Sequence, residues 1–272
     1  MKKYKPTTPS RRHATREDFS GLTKKRPEKS LIKMLKKRSG RNNQGKITVR
    51  HQGGGAKKFY RMVDFKQKKM DMPGTVIALE YDPNRTAFIV LIEYQDKTKA
   101  YRLAPQGLKI GAQVIISDKA EIKIGNRMKL KNISIGTEVF NIELLPMGGG
   151  KLVRSAGSSA KVMGIAGKHV ALKMPSKELR KIHKECFATI GALSRPEHRY
   201  QVLGKAGRKR HKGIRPTVRG SAMVPADHPH GGGEGKAGIG MKHPKTPWGK
   251  IAFGKKTRKR KNTNKFIIKR RK

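Results

Sequence analysis

The decapeptide DHPHGGGEGK, residues 227–236, places two histidines, two acids, four glycines and a lysine within ten positions. It combines Asp227, His228, His230 and Lys236 with four glycines. These residue types permit a metal site, a phosphate-binding loop, a catalytic histidine, or a backbone shaped to contact a large ligand. The choice among them depends on the elements on either side.

A phosphate-binding loop of the Walker type requires a glycine, four further residues and then Gly-Lys-Ser/Thr. Aligning that pattern on Gly235 and Lys236 puts His230 at the first glycine and Ala237 at the hydroxyl that would hold Mg²⁺. No strand pattern precedes the decapeptide and no helix pattern follows it. The sequence therefore excludes a Walker-type loop here.

Metal binding and catalysis have less support than a backbone contact. Asp227, His228 and His230 could supply metal ligands, but a glycine-rich segment offers no regular element to hold them. A neutral imidazole could move protons with Asp227 orienting it. However, no nucleophile is convincingly placed, Ser221 being the nearest hydroxyl. We predict no metal, no cofactor and no enzymatic activity, with His230 as the one catalytic candidate.

The charge of the chain predicts a polyanionic partner. Its 66 Lys and Arg residues against 18 Asp and Glu give a formal net charge of +48 over 272 residues. Like charges at that density destabilise a free compact protein, so nucleic acid is the first candidate. A membrane partner is not expected, because the longest apolar run, residues 87–92, is far shorter than the ~20 residues of a span.

Cys186 is the single cysteine, which excludes a disulfide framework and a cysteine-based zinc site. The basic start of the chain is followed by no apolar core, so a secretory signal is not expected. Together these features predict a protein of a reducing, cytoplasmic compartment.

The charge is concentrated towards the two ends of the chain. Residues 1–60 carry a net +16, residues 61–200 a net +12, and residues 201–272 a net +20. The last eighteen residues include eleven basic side chains and no acid. Such a segment cannot offset its ordering entropy through a core of its own. We therefore expect a folded middle with two polycationic extensions that become ordered only against a partner.

The middle of the chain is predicted to consist of short strands. TVIALEY (75–81), TAFIVLIEY (86–94) and TKAYRLA (98–104) are rich in β-branched and aromatic residues and are separated by turn clusters. Many short strands with Gly and Pro between them favour small barrels over a parallel sheet with crossover helices. One sandwich or two barrels would fit; we favour two barrels that divide near residues 125–135.

Glycine and basic residues recur together at 40–58, 146–151, 204–220 and 227–236. Glycine lets the main chain approach a ligand closely and display its amides to phosphates. A single stretch of this kind would be interpreted as a flexible linker, but four in so basic a chain favour nucleic acid. No helix-turn-helix, zinc-finger or basic-leucine pattern is present, which favours folded RNA over duplex DNA. Nucleoid or chromatin packaging remains the alternative.

Eight stretches closely resemble the L2 family of large-subunit ribosomal proteins in its bacterial or organellar form. They are RRHATRED, GRNNQGKITVRHQGGGAKKFYRMVDF, LEYDPNRTAFIVLI, RSAGSSA, VLGKAGRKRHKGIRPTVRGSAM, DHPHGGGEGK, HPKTPWGK and GKKTRKRK. The resemblance implies a mainly β fold, with an oligonucleotide-binding-type barrel followed by an SH3-like barrel and long, basic, irregular N- and C-terminal extensions. We accordingly expect an extension at 1–59, barrels at 60–125 and 126–200, and a Gly-rich extension at 201–272.

The same resemblance implies a structural constituent of the large ribosomal subunit. Its expected roles are primary binding of 23S-type rRNA, support of subunit association and tRNA binding, and organisation of the peptidyl-transferase region. The expected partners are large-subunit rRNA, small-subunit rRNA across the subunit interface, and neighbouring ribosomal proteins. Peptide bond formation in this family is attributed to rRNA. A bacterial cytoplasmic ribosome is expected, with an organelle-encoded protein as the alternative.

The expected rRNA-binding residues come from these motifs and from the basic, glycine-rich stretches. They are Arg41, Asn42, Asn43, Arg50, His51, Gly53, Gly54, Gly55, Arg85, Arg154, Lys205, Arg208, Arg219, His228, His230, Gly231, Gly232, Gly233, Lys236 and Trp248.

Overall fold

Several segments in the middle of the chain are rich in β-branched and aromatic residues, and the computed structural model, which describes residues 1–271, is built mainly of antiparallel strands. In chain order the strands are β1 (Lys2–Lys3), β2 (Thr15–Arg16), β3 (Ile32–Met34), β4 (Phe59–Arg61), β5 (Gly74–Glu80), β6 (Ile89–Tyr94), β7 (Lys99–Leu103), β8 (Gln113–Val114), β9 (Arg127–Lys129), β10 (Glu138–Phe140), β11 (Ile142–Glu143), β12 (Gly150–Leu152), β13 (Ala160–Ala166), β14 (His169–Lys173), β15 (Leu179–His183), β16 (Phe187–Ile190) and β17 (Ile267–Lys269). The helices are α1 (Pro9–Arg12) and α2 (Ala206–His211), with 3₁₀ turns at Lys29–Leu31, Leu130–Asn132, Pro196–Tyr200, Gly220–Ala222 and Asn264–Phe266.

The chain divides into two compact units. The first, here called the barrel unit, contains Met1–Lys36, Lys57–Lys205 and the residues from Thr263 onward. The second, here called the loop unit, is made of Lys37–Ala56 and Ala206–Asn262. The loop unit therefore combines a segment from each of the two basic extensions. The domain boundaries expected from the sequence, including the barrel division at residues 125 and 126, stay a prediction.

A four-stranded antiparallel sheet in the barrel unit has the order β7-β6-β5-β8. Its central strand β6 is apolar on both faces: Val90 and Ile92 lie in one hydrophobic cluster, and Ile89 and Leu91 lie in another. This explains the continuous apolar run in the sequence, since a strand covered on both sides shows no alternation of polar and apolar residues.

A seven-stranded sheet in the barrel unit has the order β17-β15-β14-β13-β10-β16-β9. Within the described part of the chain, its core contains thirteen buried residues, among them Met128, Val162, Leu172 and Ile182. The strands are short and all the pairings are antiparallel. The mainly β fold with sheets of the oligonucleotide-binding and SH3-like barrel types is thus confirmed. Within residues 1–271, no helix combines the length and apolar character needed to cross a membrane.

The C-terminal strand β17 extends the edge of the seven-stranded sheet. Leu179 pairs with Lys269, and Arg180 pairs with Ile267, across the β15–β17 ladder. The chain thus leaves the barrel unit after Lys205 and returns to it from Thr263 onward. This differs from the expectation that the tail becomes ordered only against a partner, because residues 267–269 find a partner strand in their own chain.

A buried ion pair lies in the core of the barrel unit. Arg127 is 1 % exposed, and its Nη2 donates to Glu143 Oε1 at 3.0 Å. The Glu143 carboxylate also accepts three main-chain amides, those of Met147, Gly149 and Phe187, at 3.1–3.2 Å. Burial lowers the pKa of Arg127 to about 10, and the nearby Glu143 carboxylate opposes the decrease. The pair satisfies the desolvated charges and connects loops to strands.

A second buried carboxylate, Glu80 on β5, has incomplete hydrogen bonding. Tyr101 donates its hydroxyl to Glu80 Oε2 at 2.8 Å, and the Glu28 amide donates to the same hydroxyl oxygen at 2.9 Å. Glu80 Oε1 has no hydrogen-bond partner among the described residues. Burial raises the pKa of Glu80 above its ordinary value of 4.5, and the Tyr101 hydrogen bond opposes the increase. Relative to the unfolded chain, the folded state therefore shifts the titration of this carboxyl group towards its neutral form.

Replacing Glu80 with glutamine is expected to stabilise the protein more at pH 7 than at pH 4. A raised folded-state pKa contributes stability below the unfolded value and loses it as the pH rises through the folded value. Glutamine keeps the acceptor for Tyr101 but has no charge to bury, so its advantage grows with pH. Denaturant unfolding of parent and variant at both pH values measures this. An equal difference at pH 4 and pH 7 would contradict the titration of Glu80.

Candidate nucleic-acid interface

The loop unit is highly basic and has almost no buried side chains. Its 77 residues include 21 Lys and Arg and only two acids. Among them, all within the described part of the chain, His228 is the single buried residue, with 6 % exposure. Without an apolar core, the segments must be held together by main-chain hydrogen bonds and close backbone contacts.

The first segment of the loop unit forms a compact turn around Gly40. The amides of Thr48 and Val49 donate to the Gly40 carbonyl at 2.9 and 3.0 Å. Gly40 has φ +70°, and a Cβ there would lie 2.1 Å from the Val49 carbonyl oxygen. Only glycine fits this close approach without a shift of the backbone.

The predicted rRNA-binding residues at the tip of this turn have different environments. Arg41 Nη1 donates to the Gly45 carbonyl at 2.7 Å, and Asn42 Oδ1 accepts the Lys46 amide at 2.9 Å. These two side chains therefore shape the turn. Asn43 is exposed, so its amide group is better placed to meet a ligand.

The Gly53-Gly54-Gly55 run crosses the second segment of the loop unit. The Gly53 amide donates to the Gly213 carbonyl at 3.0 Å, and the Ala56 amide donates to the His211 carbonyl at 3.0 Å. A Cβ on Gly55 would lie 2.7 Å from the Gly213 nitrogen, whereas a Cβ on Gly54 would meet nothing within 4 Å. Gly55 is thus required by a chain crossing, and Gly54 faces open space.

The two histidines of the DHPHGGGEGK loop contact each other. The His230 amide donates to His228 Nδ1 at 3.0 Å, and the two ring centroids are 4.7 Å apart. The His228 ring lies directly over Gly220, where a Cβ would be 2.5 Å from Nδ1. His228 is therefore a buried packing residue of the loop, and Gly220 leaves the space for its imidazole.

The His230 ring accepts a hydrogen bond from the main chain. The Lys245 amide donates to His230 Nε2 at 2.8 Å, so in the neutral ring the proton is on Nδ1. Nε2, the unprotonated nitrogen, is consequently occupied by this hydrogen bond and is not free to act as a general base. In the described chain, neither imidazole donates a hydrogen bond to the Asp227 carboxylate, and no group of three or more His, Cys, Asp or Glu residues is arranged to hold a metal ion.

The glycines of the same loop differ in what surrounds them. A Cβ on Gly231 would lie 2.4 Å from the Val224 carbonyl oxygen, and one on Gly232, which has φ +85°, would lie 3.0 Å from Pro225. Both glycines therefore allow the chain to fold back on itself. Gly233 is exposed, so its main chain is the more accessible part of the loop.

Arg85 and Arg154 lie in the barrel unit and share one aromatic ring. Their guanidinium carbons are 5.0 and 4.4 Å from the centroid of Phe65. Arg85 Nε also lies 3.0 Å from the fully buried Asp82 carboxylate, which neutralises much of its charge. Arg154 is exposed and has no ion pair within residues 1–271. Of the two, Arg154 is the better placed to meet a phosphate.

The remaining predicted residues lie mostly at the surface. Lys205 ends the second segment of the barrel unit, and Arg208, on α2, is half-buried. Exposed side chains of the loop unit include Arg50, Arg219, Lys236 and Trp248, whereas His51 is half-buried.

Sequence reasoning missed Gly213 and Gly220. Gly220 leaves the space for the ring of His228, and Gly213, at φ +90°, supplies the backbone that Gly55 crosses; a Cβ on Gly213 itself would meet nothing closer than the Gly54 carbonyl oxygen at 3.7 Å. No local pattern could have revealed this, because the two residues of each contact are distant along the chain or on opposite sides of a loop.

Comparison with known protein families agrees with the resemblance seen in the motifs. The model described as Ribosomal Proteins L2, RNA binding N-terminal domain, matches residues 28–116. The model described as Ribosomal Proteins L2, C-terminal domain, matches residues 123–249. Between them the two models cover most of the chain, including the four-stranded sheet and much of the loop unit. The chain therefore belongs to the ribosomal protein L2 family, whose members are RNA-binding structural proteins of the large ribosomal subunit.

Proposed function

We propose that this protein is a primary binding protein for 23S-type rRNA and that its loop unit is the main contact surface. The loop unit combines 21 basic residues with two acids and a single buried side chain, and this combination is the main support for the proposal. Such a unit lacks the apolar burial that would offset its ordering entropy and self-repulsion. Phosphates of a folded RNA would supply the missing favourable interactions.

We further propose that the predicted rRNA-binding residues act in two ways. Asn43, Gly54, Arg154, Gly233 and Lys236 have exposed groups and would contact RNA directly. The residues that hydrogen-bond or pack within the protein would instead set the shape of the surface; they include Arg41, Asn42, Gly55, His228, His230 and Gly231. The surface would then match RNA by shape as well as by charge.

The finer roles belong to the same proposal and rest on family membership. They are support of subunit association, contact with small-subunit rRNA and with neighbouring ribosomal proteins, support of tRNA binding, and organisation of the peptidyl-transferase region. The proposal assigns the chemistry of peptide bond formation to rRNA, and the use of His230 Nε2 as a hydrogen-bond acceptor supports that assignment. A bacterial ribosome, or one with an organelle-encoded copy of this chain, is the proposed location. Barrels at 60–125 and 126–200 are the proposed domains.

Sedimentation of a cell lysate through a sucrose gradient in ~0.5 M salt tests this function. The screening length falls to about 4 Å at that ionic strength, which weakens loose electrostatic association. We expect the chain to remain with the large subunit. In parallel, purified protein should prefer large-subunit rRNA over duplex DNA by about 10³-fold or more at the same salt. Release from the subunit together with equal affinity for duplex DNA would favour nucleoid packaging instead.

A further inference from the structure

Trp248 projects from the tip of an ordered turn in the loop unit. Lys245 and Ile251 form a bridge across this turn, and the Thr246 amide donates to the Lys250 carbonyl at 2.7 Å. The indole is nevertheless 74 % exposed. The flanking main chain is hydrogen-bonded, so the exposed Trp248 is carried by an ordered turn.

Arg50, from the other segment of the loop unit, meets this indole. Its guanidinium carbon lies 5.3 Å from the centroid of the Trp248 ring. A single guanidinium covers at most one face of an indole, and the high exposure leaves the other face open. Single exposed apolar residues are common at protein surfaces, but a planar cation beside an open aromatic face is a more specific arrangement.

The charged side chains near Arg50 and near Trp248 along the sequence are all positive. Residues 29–63 and 235–272, which contain Arg50 and Trp248, include no Asp or Glu. Lys245 and Lys250 flank the indole in the turn. An open aromatic face among cations suits a ligand that is aromatic and anionic, and a nucleotide in a single-stranded or bulged position has both properties. A base within a duplex presents no free face.

We propose that Trp248 and Arg50 form a stacking platform for one unpaired nucleobase of large-subunit rRNA. The base lies on the open face of the indole, Arg50 supports the opposite side, and Lys250 is near the adjoining phosphate. This inference rests on the proposed rRNA-binding function and names the kind of nucleotide that this part of the surface takes.

Fluorescence tests the platform directly, because Trp248 is the single tryptophan of the chain. The full-length protein is titrated with a large-subunit rRNA transcript and, separately, with a fully paired duplex RNA. Stacking on a base is expected to quench the indole emission with the transcript and to leave it nearly unchanged with the duplex. An increase in emission with a blue shift on binding the transcript would instead indicate that the indole enters an apolar environment without stacking on a base, and it would overturn the proposal.

Three variants separate stacking from generic contact. Trp248→Leu is expected to weaken transcript binding by about 5- to 100-fold, because stacking of one base on an aromatic ring contributes an affinity gain of that size. Trp248→Phe retains an aromatic face and should recover most of that loss. Arg50→Lys keeps the charge but loses the planar group, so affinity should fall while the salt dependence stays the same.

The outcomes distinguish this inference from the function on which it rests. Tight, specific transcript binding with an unquenched indole, or with Trp248→Leu equal to the parent, would overturn the platform and leave rRNA binding standing. Equal quenching of the indole emission by duplex RNA would overturn the inference that the stacked base is unpaired. Absence of any preference for the transcript would overturn both proposals.

Discussion

Replacing Arg127 with methionine is expected to lower the free energy of unfolding of the barrel unit by about 3–5 kcal/mol, measured by chemical denaturation of the full chain. Arg127 donates to the Asn141 carbonyl at 2.7 Å and to Glu143 at 3.0 Å. Methionine fills a similar volume but leaves the Glu143 carboxylate buried without its counter-charge. The large effect comes from that uncompensated charge rather than from lost packing.

Two further variants show whether the uncompensated charge is the cause. Adding Glu143→Gln to Arg127→Met removes the buried charge and should recover a substantial part of the lost stability. Lys123→Met removes one partner of a surface pair with Glu121, whose side chains are 66 % and 68 % exposed. That change should cost less than about 1 kcal/mol. Equal losses at Arg127 and Lys123 would refute the assigned role of burial.

Replacing Gly55 with alanine is expected to open the chain crossing that connects the two segments of the loop unit. The new Cβ would lie 2.7 Å from the Gly213 nitrogen, and Gly55 has φ +79°. Forcing an extra carbon into a close contact costs about 1–3 kcal/mol in addition to the backbone strain. Amide hydrogen exchange should therefore become about 5- to 100-fold faster at Gly53 and Ala56, which donate across the crossing.

Gly54→Ala is the matched control for this prediction. Gly54 has φ +63°, so alanine there meets a comparable backbone strain, but its Cβ has nothing within 4 Å. The difference between the two variants thus isolates the steric contact with Gly213. Identical exchange rates in both would show that the crossing does not depend on glycine.

The strand content was predictable because it depends on neighbouring residues. β5 and β6 are rich in Val, Ile and Leu, and their ends are marked by turn-forming residues. The polyanionic partner was predictable for a different reason, since an excess of 48 positive charges is a property of the composition. The motifs then pointed to the family that the two family models confirm.

The candidate site was predictable only as a set of residues. The motifs identified Gly53 to Gly55 together, but the structure assigns Gly55 to a chain crossing and Gly54 to open space. The motifs also identified His228 and His230, and a metal site or a proton-transfer role was compatible with their spacing. In the folded chain one ring is buried over Gly220, and the other accepts the Lys245 amide.

By itself, the sequence determined the basic character, the mainly β class and the family, because composition, strand patterns and motifs are all properties of contiguous residues. The chain has 66 basic residues, and only the tertiary structure decided that Arg127 is the one that pairs with Glu143 in the core. It also brought residues 37–56 and 206–262 into one unit and paired β17 with β15. These features depend on contacts between residues far apart in the chain, and burial and hydrogen bonding at such contacts exist only after folding.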